Sequence, residues 1–113
     1  MQEKLEKLLK LDNSIYADKE LLKGSFTKLN SVRLNANMKE DELKNCNFDK
    51  LLKDKEYLII DMDASNEYHQ KNFLSMIKDK KYRAYHFENI KVIVCSSNID
   101  IICKEILGQL TIV

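Results

Sequence analysis

Tyr57-Leu58-Ile59-Ile60-Asp61-Met62-Asp63-Ala64-Ser65 is an apolar run that stops abruptly at two carboxylates. Apolar residues in succession, without alternation and with charge on both sides, are what a strand buried on both faces looks like. Such strands belong to parallel sheets sandwiched between helices, and in those sheets ligands gather beyond the carboxyl ends of the strands. The acidic end of this run is therefore the first place to look for chemistry.

A second run of the same kind, Lys91-Val92-Ile93-Val94-Cys95, ends in Ser96-Ser97-Asn98. Ser31 to Asn37 alternates apolar and polar residues instead, which suits a strand nearer the sheet edge. Short strands are expected at Ser14 to Ala17 and at Leu110 to Val113. Helical spacing recurs between the strands. It is carried by Leu5, Leu8 and Leu9 in residues 1–11, by Leu21, Leu22, Phe26 and Leu29 in Lys19 to Leu29, and by Leu43, Cys46, Leu51 and Leu52 in Glu42 to Leu52. Phe73, Leu74 and Ile77 mark a helix over Glu67 to Asp79, with N-cap candidates in Asp63 to Asn66. Ile101, Ile102 and Ile106 mark another over Asp100 to Leu107, with Gly108 at its C′ position. Lys78 to Glu88 reads as a polar and aromatic connection. This alternation predicts a single three-layer α/β domain over residues 1–113, a mainly parallel sheet of four to five strands with helices on both faces.

The 113 residues suffice for one core without metal or disulfide staples, and 44% apolar with 33% charged residues is ordinary for a soluble globular chain. Lys plus Arg number 19 and Asp plus Glu 18, so a net charge of +1 gives no broad attraction to nucleic acid or anionic membrane. No stretch approaches the roughly 18 apolar residues of a membrane span. The start, Met1-Gln2-Glu3-Lys4-Leu5, lacks the basic-then-apolar layout of a signal peptide, so a cytoplasmic setting is expected. Cys46, Cys95 and Cys103 are odd in number and without Cys-x-x-Cys spacing, which points to reduced thiols.

Asp61 and Asp63 at a strand's carboxyl end can coordinate Mg²⁺ together with waters, since a hard cation takes oxygen ligands. The same residues equally suit a helix cap and an acceptor for loop amides. Ser96, Ser97 and Asn98, at the end of the other buried run, can hydrogen-bond a phosphate, a water or Asp61, or can satisfy their own turn. Tyr82, Tyr85, His86 and Phe87, interleaved with Lys80, Lys81 and Arg83, suit contacts with a partner or stacking on single-stranded nucleic acid, and equally a cover over the sheet edge. Gly24 and Gly108 are the only glycines, so neither Gly-x-x-x-x-Gly-Lys-Ser/Thr nor Gly-x-Gly-x-x-Gly can be written. A conventional nucleotide hydrolase and a Rossmann dehydrogenase are thereby disfavoured.

From Val32 onward the chain resembles the core of AAA+ proteins of the clamp-loader type. Val32-Arg33-Leu34-Asn35-Ala36-Asn37 looks like their second strand, Leu58-Ile59-Ile60-Asp61 like a Walker B strand, and Val92 to Asn98 like a sensor 1 strand. Ile106 to Val113 is similar to the segment that follows it and usually holds Ser-Arg-Cys. Met62 stands where the catalytic Glu would be, Gly108-Gln109 replace Ser-Arg, and Walker A is missing. The resemblance implies a non-hydrolysing relative that binds another protein, in replication or regulation. The chain also resembles a response-regulator receiver domain, with Asp61 as phosphoacceptor, Asp18 near the acidic pocket and Ser96 or Ser97 as the switch hydroxyl. There the paired acids are reduced to one. By size and strand–helix order it is similar to a STAS-type regulatory domain, without that family's Asp-Ser-Ser-Gly-like motif. The expectation is a module without an intact catalytic motif, whose partner is another protein.

Overall fold

The structure, a computed structural model, describes residues 14–22, 30–63, 65–87 and 89–112, the Leu21 side chain excepted. The helix expected over residues 1–11, the continuation of the Lys19 helix beyond Leu22, and Val113 lie outside the described residues.

Five strands form one parallel sheet: β1 (Ile15–Asp18), β2 (Ser31–Asn35), β3 (Tyr57–Asp61), β6 (Lys91–Ser96) and β7 (Thr111–Ile112). Their order is β2-β3-β6-β1-β7. The two unalternated runs lie centrally, and the alternating run lies at the edge. One row of the sheet reads Leu34, Ile60, Val94, Tyr16, Ile112 across the five strands. Because successive side chains of a strand face opposite ways, each central strand supplies two cores. Leu58, Ile60, Met62, Val92, Val94 and Tyr16 face a large cluster that includes Phe48, Phe73, Met76, Ile77 and Ile106. Ile15, Ala17, Ile59, Ile93 and Cys95 face the other side and pack with Leu22. The α/β class with a parallel sheet is as the sequence leads one to expect.

The helices are shorter than their apolar spacing suggests. Lys19–Leu22 forms α1 directly after β1. Where one helix is expected over Glu42 to Leu52, there are two, α2 (Glu40–Lys44) and α3 (Phe48–Leu51). Asn47 causes the break, since its side chain accepts from the Lys50 amide and caps the second helix. Glu67 to Asp79 is helical as expected, in the form α4 (Glu67–Gln70), a 3₁₀ turn Lys71–Phe73, and α5 (Leu74–Asp79), capped by Asn66. A 3₁₀ turn Ile99–Ile101 and α6 (Lys104–Leu107) replace the single helix expected over Asp100 to Leu107. Gly108 closes α6 in a right-handed conformation, φ −63°, rather than as a left-handed C′ residue.

The segment read as a plain connection holds a two-stranded antiparallel ribbon, β4 (Lys81–Tyr82) and β5 (Tyr85–His86). Tyr82 and Phe87 are buried, and with the half-buried Tyr85 they surround Phe48 of α3 at ring-centroid distances of 5.5, 5.5 and 5.4 Å. Of these rings, named from the sequence as candidate partner contacts, Tyr82 and Phe87 belong to the protein's own core and Tyr85 packs against it half-buried.

Candidate site at the carboxyl edge of the sheet

Parallel strands bring their carboxyl ends to one edge, and the order of the sheet puts the ends of β3, β6 and β1 side by side there. Asp61 is the last residue of β3, in register with Cys95. It is 3% exposed, so an ionised carboxylate there needs compensation. Its Oδ2 takes the Arg33 guanidinium from the neighbouring strand β2 and Lys19 Nζ at 2.9 Å, while Oδ1 accepts the Asp63 amide at 3.0 Å. Burial alone would raise the pKa of this carboxyl, but Arg33 and Lys19 outweigh it and hold it below the ordinary value.

Asp63 is more open. Its Oδ2 accepts from Lys19 Nζ at 2.6 Å and from Ser97 Oγ at 2.6 Å, and its Oδ1 accepts the Ser97 amide at 2.9 Å. Here too desolvation pulls upward and is overcome, chiefly by Lys19 and Ser97, so the carboxyl sits at about 2. A carboxylate held that low is a poor proton acceptor near neutral pH, and its bond to Ser97 does not activate the hydroxyl. Lys19, the first residue after β1, bridges both carboxylates, and hydrogen bonds to them raise its own pKa. The Cys95 thiol beneath is pushed up to about 12, first by burial and then by the Asp61 charge, which keeps it neutral and unreactive.

The residues named from the sequence divide into two groups. Asp61, Asp63 and Ser97 meet. Ser96 is fully buried, receives the Tyr16 hydroxyl at 2.9 Å and donates to the Asn98 carbonyl at 2.9 Å. Asn98 turns away and caps the following 3₁₀ turn by accepting the Asp100 amide. Asp18 caps α1 through the Glu20 amide. Lys19 and Arg33, the two cations that set the electrostatics, were not singled out from the sequence. Nor was Gln70, whose amide nitrogen donates to Ser65 Oγ and the Ile101 carbonyl and whose oxygen accepts the Cys103 amide. Gln70 thereby ties the segment after β3 to the one after β6.

A Mg²⁺ ion entering between Asp61 and Asp63 would have to displace the Lys19 ammonium. Among the described residues no group of three or more His, Cys, Asp and Glu side chains is arranged to hold a metal. No helix among them is long and apolar enough to cross a membrane. Compared with protein-family models, with curated proteins and with solved structures, the chain has no significant match.

Proposed function

We propose that this chain is a non-catalytic, cytoplasmic protein-interaction module built on an AAA+-like core without a P-loop. The observation that carries the reading is Met62. It stands where a water-activating Glu would be needed, and it is 0% exposed, packed into the main core. Two further features support it. β3 and β6, the strands that the resemblance takes for Walker B and sensor 1, are neighbours in register. The acidic end of β3 carries two built-in cations, Lys19 and Arg33. The receiver-like reading draws less support, because the five strands run 2-3-4-1-5 in chain order rather than the 2-1-3-4-5 of flavodoxin-like sheets, and because Asp61 is buried.

Partner contact falls to residues that the core leaves outside, of which Tyr68 on α4 is the most exposed large apolar side chain among the described residues, at 74%. Two measurements test the proposal. Titration with Mg²⁺ and ATP, followed by amide NMR and phosphate release, is expected to give neither saturable shifts at Asp61, Asp63 and Ser97 nor turnover. Turnover abolished by Asp61→Asn would overturn the reading. Cross-linking with mass spectrometry is expected to join the α4 surface to a protein carrying an intact P-loop, with the yield reduced by Tyr68→Ala.

A further inference from the structure

The opposite edge of the sheet, where β3 and β6 begin, carries a different surface. An open cleft of about 490 Å³ is lined there by Lys53, Asp54, Lys55, His86 and Phe87 among others. Beside it stands the β4–β5 ribbon, in a stretch, Lys78 to His86, with four cations and one acid. Lys53, Lys78, Lys81 and Arg83 are exposed, and none forms an ion pair with a described residue. Lys44 and Lys71, by contrast, each reach a carboxylate. Of the acids nearby, Asp49 and Asp54 line the cleft, the exposed Glu56 precedes β3 and Asp79 ends α5, while the ribbon itself, Lys81 to His86, holds two cations and no acid.

The ribbon is also held rigidly. Its inner rings grip Phe48, and the Phe87 amide donates to the Lys80 carbonyl at 2.7 Å. The non-glycine residues with positive φ among those described are Asp54, Lys80 and Arg83, at 62°, 52° and 56°, all at this edge. Glycine would be cheaper at such positions, yet the chain carries Lys and Arg at two of them. With Tyr82 and Phe87 turned inward, what the ribbon offers outward is mainly charge, beside the exposed His86 and the half-buried Tyr85.

We propose that this ribbon docks on the phosphate backbone of nucleic acid, independently of sequence and of the site at the carboxyl edge. Because net charge is only +1, the attraction comes from the patch and not from the whole molecule. The test is fluorescence anisotropy of a labelled oligo-dT single strand, with salt varied from 50 to 200 mM. Four phosphate contacts give a log–log salt slope of about −2.8, a loss of about fiftyfold over that range. Lys81→Ala combined with Arg83→Ala, both exposed, is expected to halve the slope and weaken binding at least about tenfold, with an unchanged far-ultraviolet circular dichroism spectrum. Lys39→Ala with Lys104→Ala, exposed cations at the other edge, is expected to leave both unchanged. No binding at 50 mM salt, or binding indifferent to the ribbon variant, would overturn the proposal. So would competition by polyglutamate as effective as by unlabelled oligo-dT, which would point to an acidic protein instead.

Discussion

Lys19 is one ammonium serving two carboxylates, and its effect is measurable through Asp63. The folded-state pKa of Asp63, about 2, lies below the ordinary 3.8. A group depressed in this way contributes stability that is complete above the ordinary value and is lost as pH falls through 4 towards 2. With allowance for its partial exposure the contribution is about 1 kcal/mol. Urea midpoints are therefore expected to drop between pH 4 and pH 2, and Asp63→Asn is expected to flatten that part of the profile. Lys19→Met should move the Asp63 carboxyl back towards the ordinary range, read by NMR titration of its side chain. Met62 gives a second prediction at this scale. Met62→Glu would place a carboxylate in the main apolar cluster and cost more than about 3 kcal/mol, without creating ATPase activity. Met62→Leu, which conserves volume, should cost less than about 1.5 kcal/mol, as chemical denaturation would show.

Among the elements, the ribbon depends on one ring. Phe48, 1% exposed, is the common neighbour of Tyr82, Tyr85 and Phe87. Phe48→Ala is expected to destabilise the protein by about 3 to 4 kcal/mol. Amide exchange should accelerate most in Lys81 to Phe87 and in α3, while β3 and β6 keep most of their protection. Uniform acceleration would mean that the ring supports the whole core equally. The same elements show what could be read in advance. The two buried strands were legible because an unalternated apolar run has few other uses, and β2 was legible as an edge because its alternation was intact. The split at Asn45-Cys46-Asn47 was missed because apolar spacing continued across it, although an Asn before Phe48 is itself a capping signal. The ribbon was missed because its strands are two residues long and its turn has no glycine or asparagine, Arg83 taking the left-handed position instead.

For the molecule as a whole, the order of the strands was the part that no local pattern could supply. Asp61, Asp63 and Ser97 were legible as strand-end residues. Lys19 and Arg33 were not, because their reach depends on β2 lying beside β3 and on β1 lying beyond β6. β1 pairs with β6 on one side and β7 on the other, both from the last quarter of the chain. A fragment ending at residue 90 leaves β1 with no neighbour in the sheet and removes Ser97 from Asp63. It is expected to show little cooperative unfolding by circular dichroism. A sharp urea transition in that fragment would mean that β2 and β3 with their helices suffice for a stable core.

That placement of β1 also has a consequence for a chain emerging from the ribosome. Ile15, Tyr16 and Ala17 leave before the strands that flank them, which arrive on the order of ten seconds later at ordinary rates of synthesis. During that interval an apolar strand with both edges open is free to pair wrongly or to be held by a chaperone. The first strand among the described residues is thus among the last to find its place.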